Sequence, residues 1–142
     1  QTHPEQALAL ITQFVELCPE TQDEEQAYKE MNELYDKLAY KEYLSAKLYY
    51  NLGTYLGNNY LSAEIVAKNA LKTYPTNSYQ EELNWLILQA KYQQMVNSMD
   101  SKKEERARET EDEYYSFITM YPESKHITAA EKIKKEILKI LQ

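Results

Sequence analysis

Apolar residues recur at spacings of three and four along most of the chain, which is the period of an α-helix. Only two glycines and four prolines interrupt this pattern, too few for the tight turns of a β-sheet protein. We therefore predict an all-α fold with roughly six or seven helices and no strand. The 142 residues are expected to form a single domain, because this length suits one hydrophobic core.

Helix-breaking residues set the bounds of the first two predicted helices. The first helix is expected from about residue 3 to 17, with Pro19 after its end. No glycine or proline lies between Asp23 and Gly53, so a long helix, or two joined end to end, follows. The first half of this segment has one apolar face, from Tyr28 to Leu38. Its second half is apolar nearly all round, which is typical of a helix with neighbours on several sides.

Four further helices are predicted after residue 59. The first, Tyr60 to Tyr74, carries small residues on one face, which allow another helix to approach closely. The next follows the capping box Ser78-Tyr79-Gln80-Glu81. After a polar insertion at residues 97–108, a charged helix runs from about Lys103 to Met120, and the last helix begins near residue 124 or 128. The inner faces of these four helices are expected to carry Ala63, Ala67, Ala70, Leu83, Trp85, Leu86, Leu88, Tyr92, Tyr114, Phe117, Ile118, Ile133, Ile137, Leu138 and Leu141.

Charge and composition exclude several classes of function. The 16 basic and 23 acidic residues give a formal net charge of −7, which opposes binding to nucleic acid or to an anionic membrane. No apolar stretch is long enough to span a membrane, and residues 1–15 lack a signal-peptide pattern, so we expect the chain as given to be soluble. The lone Cys18 is expected to close a helix and has no partner for an internal disulfide.

Catalytic and metal-binding residues are not predicted. His3 lies at a helix start and His126 lies in a Pro-Glu-Ser-Lys-His turn, so both are expected to be surface histidines. The pairs Glu24-Glu25 and Glu81-Glu82 lie in first helical turns, where negative charge is favourable beside the helix dipole. We therefore expect no enzyme activity, no metal and no cofactor.

Three proline junctions, near residues 18–22, 74–78 and 121–125, indicate an internal repeat. Each proline follows the end of a predicted helix, and the residues twelve, eight and five positions before it lie on the inner face of that helix. They are Ala7, Ile11 and Phe14 before Pro19, Ala63, Ala67 and Ala70 before Pro75, and Thr110, Tyr114 and Phe117 before Pro122. One inner helix face therefore occurs three times.

These residues resemble the tetratricopeptide repeat, whose unit is a pair of antiparallel helices. Trp85-x-x-Leu88-x-x-x-Tyr92 is similar to its first helix, with Gln89 in place of the usual glycine, and residues 60–75 fit its second helix. The prolines are 56 and 47 residues apart, against about 34 in a regular array. The resemblance implies an irregular α-solenoid, a right-handed superhelix of antiparallel helix pairs with one extended helix.

The extended helix and the irregular intervals are similar to the C-terminal part of the BamD family. Its members are tetratricopeptide lipoproteins of the machine that assembles β-barrels in the bacterial outer membrane. The resemblance implies a non-enzymatic scaffold at the periplasmic face of that membrane. The full-length protein would be anchored only through a lipid on an N-terminal cysteine absent from this sequence, which also lacks the first repeats. Because the first predicted helix has no partner before it, we expect a preceding segment, or the long helix, to cover its apolar face.

The implied partners are the barrel-inserting subunit of the machine, accessory lipoproteins and unfolded outer-membrane proteins. Two other hypotheses stay open: a different tetratricopeptide adaptor that binds a peptide or an envelope protein, and an envelope enzyme with the solenoid as a substrate clamp. The terminal helix, EKIKKEILKILQ, is expected to cap the solenoid, with a membrane anchor as the alternative.

Partner-binding residues are implied by the same resemblance, because first-helix positions beside the packing positions line the concave surface of such arrays. In this chain they are Lys47, Tyr50, Asn51, Thr54, Leu86, Ala90 and Gln93. A purely structural role is the alternative for each of them. For Tyr60, Tyr74, Tyr92 and Tyr121, which occupy repeat positions, we expect packing roles.

Overall fold

A computed structural model describes residues 6, 9–13, 16 and 23–142. These residues form helices joined by turns and contain no strand, as predicted. Five helices lie between residues 23 and 141: α1 (Asp23–Leu52), α2 (Asn59–Thr73), α3 (Gln80–Val96), α4 (Asp100–Met120) and α5 (Ile127–Leu141). Residues 6, 9–13 and 16 are also helical, in the region of the first predicted helix.

Some predictions concern residues that the structure does not describe. They include the junction near residues 18–22, the disposition of Cys18 and His3, and the bounds of the first predicted helix. Within the described part of that helix, the Thr12 hydroxyl lies 3.9 Å from the Met31 sulfur of α1. The two segments are therefore neighbours near this point.

The predicted long helix is continuous, because α1 spans 30 residues. Ala39 and Ala46 on one side of it are fully buried. Leu44 and Leu48 on the other side are exposed, with 61% of Leu48 accessible. The prediction of neighbours on several sides is therefore wrong for the described structure, since α2 and α3 both pack against the alanine side. No helix in the described ranges is long and apolar enough to cross a membrane.

Each helix packs against the next one in the chain, and α1 also packs against α3. The connections are short, three to six residues, so consecutive helices are antiparallel. The odd-numbered helices consequently run in the same direction, side by side, with α2 and α4 behind them. This arrangement positions the surface discussed below.

The core has two main parts that meet at α3. The part shared by α1, α2 and α3 contains Ala46, Ala67, Ala70, Leu83, Leu86 and Ile87. The part shared by α3, α4 and α5 contains Trp85, Leu88, Met95, Ala107, Tyr114, Phe117, Ala130, Ile133 and Ile137. Because α3 contributes to both, it is buried around most of its circumference.

The predicted inner faces are largely confirmed. Ala63 and Ala67 of α2 are completely buried, and Phe117 of α4 is among the largest side chains enclosed in the core. Leu138 is an exception, because it is 36% exposed. It lies about 100° around α5 from the buried Ile137, which is enough to turn its side chain away from the core.

The capping box predicted for α3 is wrong. The N-cap residue is Tyr79, and it makes no side-chain capping bond. Ser78 instead contacts α1: its backbone N–H donates to Asp36 Oδ1 over 2.7 Å, and its hydroxyl donates to Asp36 Oδ2 over 2.6 Å. Glu81 accepts a hydrogen bond from Ser124 before α5. Ser78 and Glu81 therefore connect different helices instead of capping the N-terminus of α3.

Asn77 shapes the turn between α2 and α3. Its side-chain N–H donates to the Tyr74 carbonyl over 2.6 Å, and its side-chain oxygen accepts from the Tyr79 backbone N–H over 2.8 Å. The side chain is buried, and both of its polar ends are bonded. Asparagine is favoured in such turns because its amide can replace a backbone hydrogen bond.

The polar insertion predicted at residues 97–108 is mostly helix, because α4 begins at Asp100. Most of its polar side chains are exposed, whereas Ser98, Lys103 and Arg106 are half-buried. The Arg106 guanidinium donates to the Gln94 carbonyl over 3.1 Å and to the Ser98 hydroxyl over 2.7 Å. The insertion therefore extends α4 and ties its start to the end of α3.

The two Tyr-Pro junctions are built in the same way. Tyr74 and Tyr121 each cap a helix with a 2.9 Å backbone hydrogen bond to the carbonyl four residues earlier. Shortly after each proline, a serine donates a hydrogen bond to a carboxylate of the preceding odd-numbered helix. That helix is α1 at the first junction and α3 at the second. The serines are Ser78 and Ser124, and they lie 42 and 43 residues from the carboxylates that they contact.

Aromatic stacking repeats at the same two junctions. The N-cap residue of α3, Tyr79, stacks on Tyr43 of α1 with the ring planes 14° apart. The N-cap residue of α5, His126, stacks on Trp85 of α3 with the ring planes 9° apart. The residue before α3 therefore stacks on an aromatic ring of α1, and the residue before α5 stacks on an aromatic ring of α3.

We expect Ala67→Leu to lower the free energy of unfolding by about 1–3 kcal/mol, because a larger side chain does not fit the contact between α2 and its neighbours. Chemical denaturation followed by circular dichroism measures this change. The matched control is Ala129→Leu at an exposed position of α5, for which we expect a change below about 0.5 kcal/mol. Equal effects of both changes would contradict the close packing at Ala67.

A second prediction concerns the contact between α1 and the turn before α3. Asp36→Ala removes both hydrogen bonds to Ser78, whereas Ser78→Ala removes only the one from the hydroxyl. We expect losses of about 1–2 and about 0.5–1 kcal/mol in unfolding free energy, with the double variant less destabilised than their sum. Additive losses in a denaturant series would show that the two residues do not interact in solution.

Candidate functional site

A groove runs across the side of the molecule on which α1, α3 and α5 lie next to each other. One part of it is a pocket of about 280 Å³, here called the α1–α3 pocket. The lining side chains are Tyr43, Lys47, Tyr50 and Asn51 from α1, Glu82, Trp85, Leu86 and Gln89 from α3, and His126 from the start of α5. Helices that are not consecutive in the chain therefore share this surface.

Four of the seven implied partner-binding residues meet in this pocket. Lys47, Tyr50 and Asn51 lie on successive turns of α1, and Leu86 faces them from α3. Lys47 and Asn51 are exposed, while Leu86 is nearly buried. The pocket therefore has an apolar floor and polar side chains at its edge.

The other three residues are placed differently. Thr54 lies in the exposed turn after α1. Ala90 is fully buried, so its side chain offers no contact to a partner. The Gln93 side chain lies near the Tyr50 hydroxyl, beside the pocket, and interacts with it. Burial raises the pKa of that hydroxyl, and the interaction with Gln93 offsets the effect only in part.

His126 is not the exposed surface histidine that the sequence predicts. Only 18% of its side chain is accessible, and its ring stacks on Trp85 with 4.7 Å between the ring centroids. Its Nε2 lies 3.1 and 3.2 Å from the two carboxylate oxygens of Glu82. Since an ionised carboxylate only accepts hydrogen bonds, His126 Nε2 is the donor.

Glu82 connects the pocket to the start of α5. Besides His126, its carboxylate contacts Lys125 Nζ at 2.8 Å. Partial burial opposes ionisation, but the hydrogen bonds from Lys125 and His126 outweigh it and lower the pKa of Glu82. The carboxylate is therefore held ionised between two donors.

Stacked tyrosines continue the groove beyond the pocket. Tyr40 and Tyr43 of α1 both contact Tyr79. The Tyr79 ring centroid lies 5.0 Å from that of Tyr40 and 6.2 Å from that of Tyr43. The Lys47 ammonium lies 5.9 Å from the centroid of the Tyr43 ring. Large aromatic surfaces with polar tips are typical of protein interfaces.

A second depression of about 420 Å³ adjoins the first, here called the α3–α5 pocket. Tyr92 of α3 and Ile133 of α5 supply its apolar surface. Its charged residues all belong to α5 and are Lys132, Lys135, Glu136 and Lys139. Gln89 of the first pocket and Tyr92 of the second are neighbours about one turn apart on α3, so the accessible surface of this helix lies between the two pockets. The two pockets and this surface together are called the groove.

The residues that sequence reasoning missed were Tyr43, Glu82, Gln89 and His126 of the α1–α3 pocket, and the lysines of α5. Neighbouring residues carried no signal for them, since Glu82 and His126 are 44 positions apart. Trp85 was expected only as a core residue and serves both core and groove. Together these groups offer amides, aromatic rings and separate charges, which suit binding of a polypeptide. No group of three or more His, Cys, Asp or Glu residues able to hold a metal occurs in the described ranges.

The lowered pKa of Glu82 has a consequence for stability. The folded pKa lies below the ordinary value of 4.5, so the contact stabilises the fold above about pH 4.5. This contribution is lost as the pH falls through the folded pKa. We expect Glu82→Gln to lower the unfolding free energy at pH 7 by about 0.5–1 kcal/mol and to reduce its loss on acidification. Denaturation from pH 7 to pH 3 measures both effects.

The control for this measurement is Asp112→Asn, which removes one negative charge from an exposed position of α4. We expect its acid dependence to match that of the unmodified chain. An acid dependence of Glu82→Gln that also matches would contradict the role of the Glu82 contacts.

No protein-family model matches the chain. No curated protein matches it either. The functional proposal below therefore depends on the groove, the fold and the resemblance drawn from the sequence.

Proposed function

We propose that the chain is a non-enzymatic scaffold that binds other proteins through the groove along α1, α3 and α5. The observation that carries this proposal is the α1–α3 pocket, in which Lys47, Tyr50, Asn51 and Leu86 form one surface. These side chains come from two helices that are held parallel by the core behind them. A partner would meet a preformed surface, which reduces the entropy lost on binding.

We further propose that the fold is an α-solenoid of the tetratricopeptide type. The two equivalent Tyr-Pro junctions support this, because each combines the same helix end, serine contact and aromatic stack. In such an array α1, α3 and α5 are the first helices of successive units, and α2 and α4 are second helices. The groove then corresponds to the concave surface of a right-handed superhelix.

The cellular setting is proposed from the resemblance to the BamD family. In that setting the partner is the periplasmic part of the barrel-inserting subunit, with accessory lipoproteins and unfolded outer-membrane proteins as further partners. The continuous 30-residue α1 supports the resemblance, since it matches the extended helix that suggested it. The scaffold would act at the periplasmic face of the outer membrane, by holding its partners in a defined orientation on rigid helices.

The size of the pocket favours a second candidate function. A space of about 280 Å³ accommodates one or two side chains rather than a folded surface. A tetratricopeptide adaptor that captures a short peptide would use the same residues. The two candidates differ in the partner and not in the surface.

Titration with the periplasmic domains of the barrel-inserting subunit tests the proposal. We expect binding in the micromolar range by calorimetry, and a loss of at least about tenfold in Lys47→Glu/Asn51→Arg, which changes charge and size at the groove. Both positions are exposed, so the variant is expected to fold normally.

The matched control is Lys37→Glu/Asn69→Arg, which makes the same changes at exposed positions of α1 and α2 outside the groove. Its binding should equal that of the unmodified chain. Absence of binding at high micromolar concentration would contradict the assembly role. Equal binding by both double variants would contradict the groove as the surface used.

A further inference from the structure

Charge is distributed unevenly over this acidic protein. The exposed side of α4 carries Glu104, Glu105, Glu109 and Asp112, and the chain as a whole has a net charge of −7. The α3–α5 pocket, by contrast, is lined by three lysines and one glutamate. The groove is therefore positive at one end within a negative molecule.

Two of the three lysines have no partner in residues 23–142 as described. The Lys139 ammonium is paired with Glu136 at 2.6 Å. Lys132 and Lys135 make neither an ion pair nor a side-chain hydrogen bond there, and both are exposed beside Tyr92 and Ile133. Ammonium groups at the edge of an apolar depression are suited to carboxylates of a bound segment.

The middle of the groove offers amides. Asn51 and Gln89 line the α1–α3 pocket, and neither side chain has a hydrogen-bond partner among the described residues. Each side chain presents a donor and an acceptor, the complement of an extended peptide backbone. At the far edge the Lys47 ammonium has no carboxylate partner within the described part of the chain.

The distance between the pockets matches a short extended segment. Leu86 and Tyr92, which line the two pockets, are six residues apart on α3, or about 9 Å along its axis. They lie about 120° apart around the helix, so the path between the pockets also crosses about 10 Å of helix width. An extended chain advances about 3.3 Å per residue, so about four or five residues reach from one pocket to the other. One short segment can therefore fill both.

We propose that the groove binds an extended acidic segment of a partner protein. The backbone of the segment lies on the amides of Asn51 and Gln89, an apolar side chain enters the α1–α3 pocket, and carboxylates contact Lys132 and Lys135. This inference rests on the proposed scaffold function and specifies what kind of partner segment the groove binds.

An acidic peptide fits this surface better than an anionic membrane does. The amides of Asn51 and Gln89 line a concave pocket, whose shape a peptide can follow more closely than a flat layer of lipid head groups can. The acidic side of α4 and the net charge of −7 also repel an anionic membrane. A peptide can follow the groove while its carboxylates contact only the lysine end.

The test uses a fluorescein-labelled, C-terminally amidated peptide, Glu-Glu-Phe-Glu-Glu-Leu, titrated with the whole chain and followed by fluorescence anisotropy. A second peptide has glutamine at every glutamate position. We expect the acidic peptide to bind at least about tenfold more tightly at low salt, because several ion pairs of modest strength add together. Its affinity should fall as salt is raised.

Two double variants of equal net charge locate the contact. Lys132→Gln/Lys135→Gln should weaken binding of the acidic peptide at least about fivefold and leave the glutamine peptide unaffected. Lys37→Gln/Lys72→Gln, at exposed positions outside both pockets, should change binding by less than about twofold. Equal weakening by both would overturn the inference, because only the overall charge would then matter.

The remaining outcomes separate this inference from the proposed function. Equal affinity for the two peptides, or no binding of the acidic one, would overturn the inference that the groove selects acidic segments. Binding of the barrel-subunit domains would in that case still support the scaffold function. Tight acidic binding without binding of those domains would support the inference and contradict the assembly role. Binding to phosphatidylglycerol vesicles that is lost in Lys132→Gln/Lys135→Gln, without binding of the acidic peptide, would assign the lysines to a membrane and overturn the inference.

Discussion

The burial of α3 is the constraint on which the other features of this structure depend. Seven residues of this helix are buried, and six of them are divided equally between the two main parts of the core. α1 and α2 pack against one side of the helix, and α4 and α5 pack against the other. The strip of α3 that stays accessible includes Gln89 and Tyr92, and this strip forms the middle of the groove. The groove is therefore a direct result of how the core is filled.

Polar contacts between each junction and the preceding odd-numbered helix set the relative positions of α1, α3 and α5. Ser78 contacts Asp36, Ser124 contacts Glu81, and His126 contacts Glu82, over separations of 42 to 44 residues. Apolar packing alone tolerates some sliding of one helix along another, whereas a hydrogen bond to a carboxylate is directional. Because Glu82 and His126 also line the α1–α3 pocket, the contacts that align the helices help to shape the groove.

Local sequence patterns predicted the helices well. The absence of breakers predicted the long α1, and the alanine spacing predicted the buried face of α2. Two errors came where a residue interacts with a distant partner: Ser78 resembled a cap but contacts Asp36, and His126 resembled a surface residue but stacks on Trp85. A local pattern carries no information about a partner 41 or more residues away.

The candidate site was predictable only in part, for a related reason. Family resemblance placed Lys47, Tyr50, Asn51 and Leu86, which the structure brings together. It also pointed to Ala90, which is buried, because the direction of a side chain depends on the rotation of α3 within the core. The unpaired lysines of α5 could not be recognised without knowing which acidic residues lie near them.

Hydrogen exchange measured by mass spectrometry, with and without the barrel-subunit periplasmic domains, tests the central claim most directly. The claim is that α3 anchors the fold and that its accessible strip, with α1 and α5, is the binding surface. Amides of α3 should exchange most slowly in the free chain, and partner binding should slow exchange in the second half of α1, in α3 and in α5. Slowing confined to α2 and the outer side of α4 would contradict the account.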